Sequence, residues 1–394
     1  MDRRDFIKSG IAAGAATWAA GSLLESCAQS STLAAPKYQG RRLVLISLDG
    51  GHDGLHAVAP KESDLLAQLR PKVYADTLNK GIDISMTGNT AMVLHRNLAD
   101  LLPGIRNGDF GVISNVGLPL NEWNGSHFVS QDFWSMAEYE GNRNPTGIKG
   151  TGWIGRLLEN PSLHIDQFQR TAIAIGDLIP LILQGNRLSG VAWPGLERAE
   201  SQKDYISKWV DETPLLGDDA VYREMADMSK IYEWLKGCTP MEGFNASGLG
   251  RQLANTAAII QNDLPFKIIK CSMGGFDTHS GQLEKHEGLY KSLSQDLGAF
   301  YAFLSKNKHL DQTLVVIYSE FGRTLYENSA LGTEHGTAGS MYVMGGAGCL
   351  DEFIHQPFSL KTTKLPGTDQ TEYLDHQIDF RDIFHAVQKK WLLA

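Results

Sequence analysis

Short runs of consecutive apolar residues alternate with longer amphipathic stretches along most of the chain. Residues 42–48 (RLVLISL) are nearly continuously apolar and close on Asp49-Gly50-Gly51. That is the pattern of a strand buried on both faces with a loop at its carboxyl end. Residues 110–115, 171–175, 266–272, 313–319 and 340–344 repeat it. Helical spacing falls between them: in 97–106, in a stretch opened by Ser126 at the N-cap position and running to about 140, in 282–306 and in 380–393. Strands alternating with helices predict an α/β fold with a mostly parallel, doubly wound sheet flanked by helices. Residues 189–250 depart from this pattern, with polar, Trp-containing helical segments and no strong strand. They are expected to form a helical insertion within a single domain over 36–394.

The first 35 residues have a different character. Arg3-Arg4, followed by Phe6, Ile7 and Lys8, resembles a twin-arginine export signal. The Ala/Gly-rich apolar stretch at 11–24 is shorter than the roughly 20 residues of a membrane span. Small residues near Ala34-Ala35 suit cleavage. Leu24-Glu25-Ser26-Cys27 offers the alternative of a degenerate lipoprotein box with a lipid anchor at Cys27. The expectation is an exported, periplasmic or cell-envelope protein that meets the twin-arginine translocase on its way out. That route carries folded chains, often with a cofactor already inside.

Composition narrows the function further. Against 45 Asp+Glu stand 36 Lys+Arg, a formal net charge of −9, which disfavours electrostatic binding to nucleic acid. The 42% hydrophobic and 21% charged content is that of a globular chain. The four cysteines, Cys27, Cys238, Cys271 and Cys349, are too few and too scattered for a disulfide framework or a Cys-based zinc site.

Carboxylates and imidazoles collect at the predicted strand ends, where open parallel sheets bind ligands. Asp49 follows the first strand, Asp277 and His279 follow the 266–272 run, Glu320 ends the 313–319 run, and His335 lies fifteen residues on. Like charges gathered at one edge repel unless a cation neutralises them, so these five are candidate ligands of a divalent metal, Zn²⁺ among the choices. Each also has an ordinary reading. Asp49 suits a turn or cap, and Asp277-Thr278-His279 suits an Asx-turn with a surface histidine. Glu320 suits a buried pair with Arg323, and His335 a loop or core histidine. Ser126, at a helix start, is either a plain N-cap or a nucleophile favoured by the positive end of the helix. His127 beside it could serve as acid, base or ligand, and Arg323 could grip an anion bidentately. Gln282 and His286, at i,i+4, read as ordinary helix surface. Trp193, Trp209 and Trp234 read as core, with the lining of a substrate cleft as the alternative.

These motifs in order resemble a family. They are Leu48-Asp49-Gly50-Gly51-His52-Asp53-Gly54-Leu55, Ser126-His127-Phe128 with Gln131-Asp132, Gly152-Trp153-Ile154-Gly155-Arg156, Gly274-Gly275-Phe276-Asp277-Thr278-His279, Ser319-Glu320-Phe321-Gly322-Arg323-Thr324, His335-Gly336-Thr337-Ala338-Gly339 and Asp379-Phe380-Arg381-Asp382. The set resembles the domain of unknown function 1501 family, a twin-arginine-exported family similar in turn to the alkaline phosphatase and sulfatase superfamily. The resemblance implies an alkaline phosphatase/sulfatase-like fold. It places metal ligands at Asp49, Asp277, His279 and His335 and a nucleophile at Ser126. Where the superfamily has an Asp-His pair this chain has Glu320-Phe321, and Phe321 cannot ligate a metal. The Asp277-to-His279 spacing is also short. One ion, a rearranged pair, or a site without catalysis are all compatible, and His52, where many members carry Asn, is a compensating candidate.

The expected function is a metal-dependent hydrolase of phosphate or sulfate esters acting on an anionic ester or glycan. The alternative is a non-catalytic exported binding or envelope-associated protein on the same scaffold.

Overall fold

The computed structural model describes residues 35–85, 91–138, 150–196, 227–228, 230–364 and 373–394. At its centre is a sheet of β1 (Arg42–Asp49), β2 (Phe110–Gly117), β3 (Ala172–Ile175), β4 (Val191–Trp193), β5 (Ile268–Gly274), β6 (Thr313–Tyr318), β7 (Ala338–Gly345) and β8 (Ile378–Asp379). The spatial order is β8-β2-β7-β6-β1-β5-β3-β4. β1 runs parallel to both β5 and β6, β3 is parallel to β5 and β4, and β8 is parallel to β2. β7 is antiparallel to both of its neighbours, β2 and β6. The sheet is thus mostly parallel, as its apolar runs predict, with one reversed strand.

β1 shows why those runs are continuous. Leu43, Val44, Leu45 and Ile46 are all 0% exposed, because the strand is covered on both faces. Val44, Ile46 and Leu48 enter one core cluster, while Leu43 and Leu45 enter the other. The helices that pack there are α1 (His127–Met136), α2 (Trp153–Leu158), α3 (Gly248–Gln261), α4 (Gln282–Lys306) and α5 (Phe380–Ala386). α3 and α4 supply Leu253, Ala257, Leu293 and Leu297 to the first cluster. α1, α2 and α5 supply Trp134, Trp153, Phe380 and Phe384 to the second. Trp134 stacks on Tyr318 of β6 and on Phe380, with centroids 5.4 and 4.2 Å away, anchoring α1 over the sheet.

Several elements differ from expectation. Residues 97–106 split into a 3₁₀ turn (Arg96–Leu101) and a short helix (Leu102–Asn107), because Pro103 suits the first turn of a new helix and not the interior of a long one. The C-terminal helix passes from α5 into a π-helical turn, Val387–Leu392. Within 189–250, Val191–Trp193 is an edge strand of the main sheet and Gly248 already opens α3, while 197–226 and 229 lie outside the described residues. Trp193 and Trp234 are buried as expected, and Trp209 lies outside the described residues. So do Arg3, Arg4 and Cys27. Cys238, Cys271 and Cys349 are unpaired thiols. Among the described residues no helix is long and apolar enough to cross a membrane.

The topology gathers one edge. The parallel neighbours β5, β1 and β6 end together, delivering the segments that carry Asp277, Asp49 and Glu320. β7 is reversed, so it begins where they end, and the chain entering it brings His335 to the same edge. β2 also ends there and leads into the N-terminus of α1.

Candidate metal centre

Asp277 is the hub. Its Oδ1 lies 2.9 Å from His279 Nε2 and 3.2 Å from His335 Nε2, and its Oδ2 lies 3.4 Å from His127 Nε2. His279 Nε2 and His335 Nε2 are 2.9 Å apart. The ligand atoms of His127, Asp277 and His335 all lie within 4.8 Å of one another.

The far side of each ring decides what the near side offers. His335 Nδ1 is 2.7 Å from the Gly125 carbonyl, which only accepts, so Nδ1 carries the proton and Nε2 a bare lone pair. His127 Nδ1 donates to Glu320 Oε1 at 2.8 Å, and His279 Nδ1 donates to Glu334 Oε2 at 2.5 Å. Three imidazoles are therefore held by oxygen acceptors behind them and turn their Nε2 atoms toward one carboxylate. His127 Nε2 is buried and without a hydrogen-bond partner. Lone pairs facing a carboxylate repel it, and a shared cation removes the conflict. This is the arrangement in which an outer acceptor fixes the tautomer of a metal-binding histidine. Burial lowers the proton affinity of His335, which makes protonation the poorer remedy. Phe321 is buried and packs against the His127 and His335 rings at 4.9 and 4.7 Å, so it walls the site without ligating.

Of the five residues expected as ligands, Asp277, His279 and His335 converge, and His127 joins them. Glu320 stands behind. Its Oε1 accepts from His127, from Gly50 N–H (2.9 Å) and from Gln131 Nε2 (3.3 Å), and its Oε2 from Ser319 Oγ (3.0 Å). Asp49 is outside the converging group. Burial raises its pKa, while Lys270 and a Ser47 hydrogen bond pull it down and Glu320 pushes it up. Buried Lys270 donates to Ser47 Oγ at 2.8 Å, so this half of the cluster has its own cation. Gly50, at φ +118°, allows the close approach: a Cβ there would sit 2.4 Å from the Asp277 amide nitrogen.

Arg323 does not pair with Glu320. The segment between them is irregular, so residues three apart need not share a face. Instead its fully buried guanidinium donates to the carbonyls of Gly51 (2.6 Å), Thr333 (3.0 Å), Phe276 (2.9 Å) and Gly50, and to Asp277 Oδ1 (2.7 Å). The fork expected to grip a substrate anion clamps three loops and orients Asp277. Burial raises the Asp277 pKa, but the Arg323 guanidinium beside it overrules that and brings it down to about 2.

Ser126 occupies the N-cap of α1, yet its side chain makes no capping hydrogen bond. Its neighbours on both sides touch the cluster, Gly125 through its carbonyl to His335 and His127 through its ring. Exposed Phe128 stands beside them.

A second His/Asp group, His56, Asp76 and His95, also has ligand atoms within 4.8 Å. It does not suit a cation. His95 Nδ1 accepts from the Asn97 amide at 3.2 Å, so its Nε2 carries the proton, and Arg96 already lies 2.9 Å from Asp76 Oδ1. His52 is no compensating ligand: it is buried among Phe276, Tyr290 and Tyr342. Gln282 and His286, expected on the surface, are both 0% exposed. Glu334 was overlooked by sequence reasoning; its adjacency to His335 at a strand entry was the available signal.

Residues 238–354 match the model of a family described as a protein of unknown function (DUF1501), the family that the motifs resemble. The match includes Asp277, His279, Glu320, Arg323, Glu334 and His335. No curated protein matches the chain. Solved structures similar to it include the zinc complex of the C-terminal periplasmic domain of EcEptC from Escherichia coli (8% identity, 91% of this chain and 86% of that one, TM-score 0.40). Another is a protein in the alkaline phosphatase superfamily from Vibrio parahaemolyticus (10%, 92% and 72%, 0.36). A third is alkaline phosphatase from the Antarctic bacterium TAB5 (11%, 90% and 99%, 0.35).

Proposed function

We propose that this chain is an exported, metal-dependent enzyme that cleaves phosphate or sulfate esters, with an anionic ester or glycan as substrate. His127, Asp277, His279 and His335 would hold one divalent ion. Zn²⁺ suits a set of imidazoles and a carboxylate at this donor spacing. The observation that carries the reading is the convergence of three Nε2 atoms on Asp277, one of them on the chain segment that also carries Ser126, whose hydroxyl is not used as a cap. A bound divalent ion would supply Lewis acidity, neutralising charge on the transferred group and favouring ionisation of a nearby hydroxyl.

The other roles fall to the chain itself. Ser126 Oγ would attack phosphorus or sulfur to form a serine ester as the bond to the alcohol oxygen breaks; its proton would leave with the alcohol, and water would then cleave the serine ester to release phosphate or sulfate and restore the hydroxyl. The N-terminus of α1 would face the anion with amide groups and the positive end of its dipole. Glu320 and Glu334 hold the His127 and His279 tautomers, and Arg323 holds Asp277. Asp49 stands outside the converging group, under the opposing influence of burial and the Lys270 charge, so the reading assigns it no ion. Export rests on the Arg3-Arg4 signal alone, with cleavage near Ala34 or a lipid anchor at Cys27.

The test is turnover of aryl phosphate and aryl sulfate esters by zinc-loaded protein. Activity lost in Asp277→Asn and Ser126→Ala supports the reading. Metal-loaded protein that turns over neither ester class yet binds an anionic glycan would instead support a binding role for the scaffold.

A further inference from the structure

Behind the proposed site lies a buried polar chain whose residues the reaction does not use. Asp76 Oδ2 lies 3.1 Å from His56 Nε2, His56 Nδ1 is 2.8 Å from His286 Nδ1, and His286 Nε2 is 3.1 Å from Thr278 Oγ1. His56, His286 and Thr278 are 0% exposed, and the two rings stack with centroids 5.0 Å apart. Two nitrogens 2.8 Å apart hold a single proton between them, so the protonation of one ring fixes that of the other. Thr278, at the inner end, sits between Asp277 and His279. One turn before His286 on α4, Gln282 Oε1 accepts from Thr278 Oγ1 (3.2 Å) and Thr333 Oγ1 (2.6 Å), while its Nε2 donates to Asp53 Oδ2 at 2.7 Å. Asp53 is in turn gripped by Arg70, with both oxygens 3.0 Å from NH1.

We propose that Asp76, His56, His286 and Gln282 form a positioning relay for the metal centre, holding the 277–279 and 333–335 segments in register through the hydroxyls of Thr278 and Thr333. The two segments carry three of the four proposed ligands but come from different loops, one after β5 and one before β7. Gln282 joins the two threonine hydroxyls inside the core, beside the Thr333 N–H to Thr278 carbonyl bond (3.3 Å) and the Arg323 clamp. Buried polar networks that are fully satisfied specify one arrangement, because any shift leaves a donor or acceptor without water to replace its partner. The His56–His286 contact extends that requirement from the loops to Asp76 at the rim.

The inference rests on the metal reading, so its test carries one readout that needs metal and one that does not. Thr278→Val and Gln282→Met remove the links at little change in volume, and Ile259→Val in α3 is the control for a general loss of stability. Cobalt is the spectroscopic probe, read by its visible absorption. The relay predicts cobalt affinity roughly tenfold weaker and an altered spectrum in both link variants, as for lost outer partners of metal ligands. It also predicts faster amide exchange in residues 276–279, with neither change in the control. Unchanged exchange and unchanged affinity in Thr278→Val and Gln282→Met would overturn it. If the wild-type protein takes up no cobalt, the metal reading falls by itself. Amide exchange then decides the relay: faster exchange in the link variants supports it, and unchanged exchange removes it. In ¹⁵N spectra at neutral pH, a proton on one Nδ1 of the His56–His286 pair supports the relay, and a proton on neither overturns it.

Discussion

His127 and Glu320 stand 193 positions apart in the chain and meet at 2.8 Å, Nδ1 against Oε1. That contact commits the ring. With Nδ1 donating, Nε2 of the neutral ring can only accept, and what it faces is the Asp277 carboxylate. The same choice is made by Glu334 for His279 and by the Gly125 carbonyl for His335. The acceptors behind the histidines, more than the histidines themselves, carry the proposal that the site takes a cation.

Glu320→Gln keeps the size and burial of the side chain but weakens its grip on His127. Zinc affinity should fall by about 10- to 100-fold, the usual effect of losing such a partner. Isothermal titration with Zn²⁺ reads this, and an unchanged affinity would show that Glu320 does not orient His127.

Ser126→Ala separates nucleophile from cap. Replacing a capping serine by alanine costs roughly 1 kcal/mol. Because the Ser126 hydroxyl caps nothing, urea unfolding should show almost no loss. Ester turnover should vanish while bound zinc stays. A stability loss near the ordinary cap value would return Ser126 to a structural role.

Arg323→Lys is not a conservative change here. One ammonium cannot replace a planar fork that serves four carbonyls and Asp277. Stability should fall by ~2–4 kcal/mol in urea unfolding, from buried carbonyls left without donors. A loss below ~1 kcal/mol would contradict the clamp.

Acid sensitivity should trace to buried imidazoles. Burial lowers the His52 pKa from the ordinary 6.5 to about 4. Burial, and then the charge of His56, bring His95 to about 4 as well. The unfolded chain takes up these protons as pH falls through 6.5, and the folded chain does so only near 4. Stability is therefore full above 6.5 and is lost between 6.5 and about 4. His52→Phe preserves an aromatic ring against Phe276 and Tyr342 and removes one such proton. Its acid-unfolding midpoint should move to lower pH, and an unmoved midpoint would exclude His52 as a contributor.

The strands were legible because burial on both faces leaves little freedom of composition: β1, β5 and β6 lie where the apolar runs place them. So was the gathering of Asp277, His279 and His335 at one place, since a parallel sheet sends its strand ends to one edge. The direction of β7 was not legible, because an apolar run carries no sign, yet that reversal brings His335 into the site. Nor was the division of labour among the acids. Asp49 and Glu320 look the same in sequence as Asp277, and only the folded structure shows Glu320 occupied by hydrogen bonds and Asp49 outside the converging group, under the charge of Lys270. Gln282 and His286 lie on one helical face, but spacing does not say which face the fold covers. Arg323 was misassigned because its partners are carbonyls, which every residue has.

Metal binding tests the central claim most directly. The protein, purified without chelator and titrated with Zn²⁺, should take up one ion per chain, and Asp277→Asn and His335→Ala should lose it while remaining folded. A wild-type protein that binds no divalent ion, or variants that bind it as the wild type does, would contradict the account.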